Sequence, residues 1–452
     1  MMPTKKPSRE EIDEIEKNTS CDTLLAPSIF PGVVPIADTS YAGDCETPIR
    51  GPENPLPSVY PRKISARAKD FLEEVLESGF TSNMVPRFEK AFAEACGVSH
   101  AVAVTNCTAA CHASLAVCDL KPGDEVIVSA ITDYGSVMGI LVENCVPVFA
   151  DVDVFTGNTT AEEIAKVITP RSRAIVLVYF YGLMIDLEPI VKLARKHNLV
   201  LIEDCCQTPL ADYKGKKAGS FGDMGCFSLY AEKHLSSDGG GVIVTNNEYL
   251  AERLRRFAIL RGSVGKPGFG RTHVELGFNY RYSSLQAAVG LAQLEELPIL
   301  NEKRRSKARK LTQLLKDVDG LLVFQPSAGI DHVFWLYSIQ LEMDKFHGSI
   351  DDIAGAMLKE GMRDCGTARY YLIPEAIAFQ NQWRNEAATE EMTAAKPAVT
   401  KYKYSDCSTG ICPNAKRHLE RTIRWAWTPK YTNQDIEDMS RIIRKVLDYY
   451  RK

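Results

Sequence analysis

The chain has 452 residues, 45% hydrophobic, 25% charged and 9% aromatic, with a net charge of −4. That is a globular composition, long enough for more than one domain, and its slightly acidic balance gives no reason to expect nucleic acid or an anionic membrane as partner. No apolar run reaches the roughly 18 residues of a membrane helix, the opening MMPTKKPSREEIDEIEKN lacks the hydrophobic core of a secretory signal, and thirteen irregularly spaced cysteines without zinc spacing read as reduced thiols of a cytoplasmic protein with no metal site.

In chain order, residues 1–62 come first, a proline-rich arm carrying 10 of the 23 prolines within its first 61 positions. Proline at this density excludes a packed helical domain. The arm is expected to be extended, either disordered or lying across a partner surface. Helical patterns follow at ISARAKDFLEEVLESG and VPRFEKAFAEACG, each ending at a glycine. From about 100 to 245, short apolar runs alternate with helical segments: AVAVT, EVIVSA, VPVFADV, AIVLVYF and LVLIED read as strands buried on both faces. AEEIAKVI and LEPIVKLARKHN read as helices between them. The alternation predicts a large α/β domain over 63–318 with a mainly parallel sheet. A long helix interrupted at Pro298 leads to a smaller C-terminal α+β domain over 319–452. Within that domain, residues 380–416 read as polar loop and the chain ends in an amphipathic helix.

Three features of the α/β region carry chemistry. Asp204 follows LVLI, which puts it at the carboxyl edge of a parallel strand, where open α/β sheets bind ligands. In VTNCTAACHASL a strand gives way to a helix near Thr108, and a helix start with free N–H groups and hydroxyls suits an anion. Ser228, in CFSLYAEK, can add a hydroxyl. Lys233 ends that same run, and a lysine amine forms a Schiff base with an aldehyde when its site tunes it. An aldehyde cofactor with a pyridinium ring and a phosphate needs these three things: a lysine, a carboxylate and a cluster of donors. No dinucleotide or Walker-type glycine loop is present.

These motifs stand in an order that resembles the DegT/DnrJ/EryC1/StrS family of pyridoxal-phosphate-dependent sugar aminotransferases. The likeness runs from about Ala66 to the C-terminus and is densest between 79 and 296, as in FEKAFAEACGVSHAVAVTNCTAACHASL, LIEDCCQTPLADYKGKKAGSFGDMGCFSLYAEKHLSSDGGGVIVTNN and LGFNYRYSSLQAAVGLAQLEEL. The resemblance implies a type I aminotransferase fold and a homodimer with shared active sites. It further implies pyridoxal 5'-phosphate as cofactor and transfer of an amino group from glutamate or glutamine to a ketosugar, nucleotide-linked or free, or to a ketocyclitol. By the same resemblance Lys233 holds the cofactor, Asp204 pairs with its ring nitrogen and Gln207 lies near its phenolic oxygen. Thr108, Ala109 and Ser228 contact its phosphate, and Asn279 reaches it from the neighbouring subunit.

The chain departs from the family at several places. Asp133 takes the register of the ring-stacking aromatic, so that stacking would fall to Tyr134 beside it. Cys107 replaces a glycine at the phosphate-binding start, and Tyr179 a frequent histidine; with Asp133 and Tyr134, Tyr179 is expected to face the substrate. His234 raises a second reading, since some members carry histidine in the lysine's place and act as 3-dehydratases of deoxysugars. Alternating side chains predict that His234 points away from Lys233. A third reading is a catalytically silent binding or regulatory homologue.

Overall fold

A computed structural model describes residues 48–51, 53–265, 270–367, 370–375 and 412–452. The expectations placed on 1–47 and on 380–411 lie outside the described residues.

Seven strands form the main sheet: β1 (His100–Val104), β2 (Glu125–Ser129), β3 (Val146–Ala150), β4 (Ser172–Val178), β5 (Val200–Asp204), β8 (Met224–Ser228) and β9 (Gly241–Thr245). Their order is β1-β9-β8-β5-β4-β2-β3. The two-residue strands β6 (Asp212–Tyr213) and β7 (Lys216–Lys217) make a small hairpin, as do β10 (Ser263–Gly265) and β11 (Arg271–His273). In the main sheet β9 alone runs against its neighbours, so the sheet is mainly parallel. Helices cover both faces, which is why β2, β8 and β9 are buried along their whole length and carry continuous apolar runs rather than alternating ones. One apolar cluster packs Phe88, Phe92, Leu177 and Phe227 on one face; another packs Val102, Val128, Val176 and Ile202 on the other.

A second sheet of four antiparallel strands holds β12 (Leu321–Val323), β13 (Leu336–Leu341), β14 (Cys365–Gly366) and β15 (Thr422–Ala426), in the order β12-β13-β15-β14. The helices Ile350–Lys359 and Asn433–Tyr450 pack beside it, each opened by a capping box, Ser349 with Asp352 and Thr432 with Asp435. The two sheets are joined by helix Ser284–Leu315, about 48 Å long at 1.5 Å per residue. It runs through Pro298 rather than breaking there. Proline removes one helical N–H, and burial on either side offsets that loss: Leu291, Leu294 and Leu297 enter the large-domain core, and Ala308, Leu311 and Leu315 enter the core of the second sheet. Residues 413–416 correct the loop expectation, since Pro413 occupies the first position of helix Pro413–Arg421.

The end of the proline-rich arm lies across its own chain. Leu56 is buried in the core of the second sheet. Arg50 bridges Asp435 and Asp438 at 2.8 and 2.7 Å, and Lys430 Nζ donates to the carbonyls of Ser58 (3.1 Å), Val59 (3.0 Å) and Pro61. For residues 48–51 and 53–62 this replaces the expected disordered or partner-bound arm. Prolines that cannot donate leave carbonyls free to accept, and a lysine and two aspartates from the C-terminal region meet the strap.

Candidate active site

The carboxyl ends of β1, β5 and β8 and the helix starts at Cys107 and Gly135 enclose a cleft of about 480 Å³. Lys233, Asp204, Thr108, Ser228, Cys107 and Tyr134 all line it, together with Asp133. The sheet topology thus gathers residues up to 126 positions apart (Cys107 to Lys233) at one edge.

Asp204, the last residue of β5, is 3% exposed. A carboxylate so buried needs donors. Ser136 Oγ donates to Oδ2 at 2.7 Å and the Cys206 amide to Oδ1 at 3.1 Å. Because the Ser136 proton is committed to the carboxylate, the Thr132 hydroxyl at 2.8 Å donates to Ser136 in turn. The chain fixes the carboxylate while leaving lone pairs toward the cleft.

Opposite, Asn106 caps helix Cys107–Ala116 by accepting the Ala109 amide at 2.8 Å. The Ala109 amide is thus held by the cap, and its side chain is buried. Thr108 stays on the cleft surface. Close backbone approach explains two glycines here: a Cβ on Gly135 would lie 2.6 Å from Thr108 Oγ1, and one on Gly241 would lie 2.5 Å from the Asn106 carbonyl oxygen.

Lys233 stands in the turn after β8, 7% exposed. Its Nζ lies 3.8 Å from the centroid of the Trp335 ring and 4.0 Å from Glu232 Oε1. The turn is held from outside. Arg62 donates to the carbonyls of Ala231 at 3.0 Å and His234 at 2.8 Å, and the Trp335 indole N–H to that of Glu232 at 3.4 Å. His234 turns from the cleft, with its Nε2 2.8 Å from the Val333 carbonyl oxygen; burial holds it well below the usual histidine range. The glycines that follow, with φ of +147° at Gly239 and +118° at Gly240, let the chain fold back as β9 and close the cleft.

Not every expected residue reaches the cleft. Gln207 lies behind it, its Oε1 taking the Tyr181 amide at 2.7 Å and its Nε2 donating to the Tyr370 hydroxyl at 3.3 Å. Asn279 is exposed and does not line its own chain's cleft. Tyr179 corrects the expectation that it faces substrate: it is fully buried in the core under the sheet, its hydroxyl donating to Glu203. Glu203 also accepts the amides of Gly219, Phe221 and Gly222 at 2.7–2.9 Å, so this buried carboxylate is consumed in joining strands to a loop. The residues missed at the mouth are Tyr370, Tyr371 and Arg424, which come from the C-terminal part of the chain. Nothing local in the sequence ties them to Lys233.

A buried carboxylate ordered at a sheet edge, a lysine amine facing the same cleft and a capped helix start with a threonine hydroxyl are the groups an aldehyde cofactor with a ring nitrogen and a phosphate would need. The comparisons agree. The model of the DegT/DnrJ/EryC1/StrS aminotransferase family matches residues 62–444, and the chain belongs to that family. The family's aminotransferases are pyridoxal-phosphate-dependent. The chain is 37% identical to a GDP-perosamine synthase of Caulobacter vibrioides over 292 residues, covering 64% of this chain and 78% of that one. It is 33% identical to a UDP-N-acetyl-3-dehydro-alpha-D-glucosamine 3-aminotransferase of Acidithiobacillus ferrooxidans, over 78% and 85% of the two chains. Among solved structures it superposes on an aminotransferase from Psychrobacter cryohalolentis with a TM-score of 0.77 and 28% identity, covering 88% of this chain and 99% of that one.

Proposed function

We propose that the cleft binds pyridoxal 5'-phosphate and transfers an amino group from glutamate or glutamine to a ketosugar, nucleotide-linked or free, or to a ketocyclitol. The observation that carries this reading is Lys233 and Asp204 facing one cleft at the carboxyl edge of the sheet. When bound, the cofactor supplies an aldehyde for the donor's amine and a cationic ring that draws electrons from the donor's Cα. Asp204, ordered by Ser136 and the Cys206 amide, holds the proton on the ring nitrogen. Thr108 and Ser228 donate hydroxyls to the phosphate, in a second subunit's company if Asn279 reaches across a homodimer interface. Lys233 moves the proton at the substrate's Cα as general base and then acid. Asp133, Tyr371 and Arg424 at the mouth meet the acceptor. Free thiols at all ten described cysteines are in keeping with a reducing cytoplasm, and no helix among the described residues is long and apolar enough to cross a membrane.

The dehydratase reading asks for histidine where the lysine stands; His234 faces the Val333 carbonyl instead. The silent-homologue reading asks for a lost lysine or carboxylate, and both are in the cleft. The test is an absorbance scan. The purified chain should take up pyridoxal phosphate with a visible band that L-glutamate or L-glutamine bleaches. A panel of ketosugars and ketocyclitols should restore it. Lys233→Ala should lose turnover, and a variant that kept full transamination would overturn the reading.

A further inference from the structure

We propose that Trp335 is a positioning residue, a platform that receives the Lys233 side chain whenever its amine is free. The inference rests on the role of Lys233 given above. An ammonium that is 7% exposed needs compensation for lost water. The nearest carboxylate offers little, since Glu232 Oε1 is 4.0 Å away, at the outer limit of an ion pair. The indole face, 3.8 Å from Nζ to the ring centroid, is the closer partner and a favourable one for a cation.

The platform is itself fixed. Trp335 is 4% exposed. Its amide donates to the Tyr181 carbonyl at 3.0 Å, and its indole N–H to the Glu232 carbonyl at 3.4 Å. One side chain therefore grips the lysine turn twice, at the backbone of residue 232 and at the amine of residue 233. An aliphatic side chain at 335 could do neither. Trp335 directly precedes β13, so the platform is set by the second sheet while the lysine turn belongs to the first. A lysine released from the cofactor thus has a defined place beside the cleft instead of a range of solvent-directed rotamers, which shortens its return.

The test uses the full chain with Trp335→Phe, which keeps a ring, and Trp335→Leu, which does not. In the cofactor-free chain, Lys233 is labelled with an amine-directed acylating reagent and read by peptide mass. The leucine variant should label at Lys233 about tenfold faster than wild type, other lysines unchanged, and the phenylalanine variant within about threefold. With pyridoxal phosphate bound, bleaching by saturating L-glutamate should slow about tenfold in the leucine variant, with cofactor uptake within about threefold of wild type, and phenylalanine should recover most of the rate. Wild-type labelling and bleaching in the leucine variant would overturn the proposal, as would a phenylalanine variant no better than leucine. Should leucine fail to fold, Trp335→Met, flexible and without a ring, takes its place. A wild-type chain that took up no pyridoxal phosphate would sink the aminotransferase reading instead, while labelling of the cofactor-free chain would still decide the platform.

Discussion

Ser136 shows how much of the site's control sits one bond away from its named residues. Removing its hydroxyl takes one of two donors from the buried Asp204 carboxylate. A hydrogen bond to a charged group is worth about 1.5 kcal/mol, so Ser136→Ala should weaken cofactor binding roughly tenfold, measured by titrating the visible band. Cys107 gives a second prediction at this scale. Contacts with the Cys111 and Cys206 thiols hold it below the usual cysteine range, while the same contacts and burial push its two neighbours well up. Cys107 is therefore the most readily ionised of the three thiols, more so as pH rises. Brief iodoacetamide treatment should label Cys107 ahead of Cys111 and Cys206 at pH 7 and lose that preference below pH 5, as read by peptide mass. Asp204, Lys233, Thr108 and Ser228 were legible in the sequence because each follows a recognisable apolar run. Ser136 was not, because its link to Asp204 spans 68 positions and exists only once β2 and β5 share a sheet.

Among the elements, the strap over 53–62 has the most direct effect on chemistry. Arg62 bonds the carbonyls of Ala231 and His234, on either side of Lys233. Burial lowers its pKa from the ordinary guanidinium value, so its hold on those carbonyls matters to it as much as to the turn. Arg62→Ala should leave the fold intact and raise the concentration of pyridoxal phosphate needed for half-uptake by about tenfold, two hydrogen bonds from a charged donor being lost. Circular dichroism and the absorbance titration would check both halves. Over residues 48–51 and 53–62 no helix forms. Proline content could not show what the segment lies on, because the partners, Lys430, Asp435 and Asp438, come from the other end of the chain. The same limit hid the continuity of helix Ser284–Leu315 through Pro298, which tertiary packing decides and local propensity does not.

At the scale of the whole molecule, buried histidines make stability depend on acid. His332 is held down to about 3 and His418 to about 4, in both cases chiefly by burial. His418 also lies 2.9 Å from the Gln340 amide nitrogen and 3.1 Å from the Val154 carbonyl, so it links the second sheet to the loop after β3. Both groups are lowered in the folded state, so the unfolded chain binds protons first as pH falls below about 6.5. Stability present at neutral pH is lost progressively toward pH 4, at about 2 kcal/mol for each histidine by pH 5. Thermal melts at pH 7 and pH 5 should show the midpoint falling, and His418→Gln should reduce the drop.

The strap also bears on where this chain is divisible. A cut before residue 63 would look harmless from composition and would keep nearly all of the stretch that matches the family model, which begins at residue 62. It would nevertheless remove Arg62 together with the carbonyls that Lys430 grips and the anchor at Arg50. A chain trimmed to 63–452 should fold, yet hold its cofactor more weakly than the Arg62→Ala variant does. The strap over 48–51 and 53–62 thus acts as a clasp on the lysine turn.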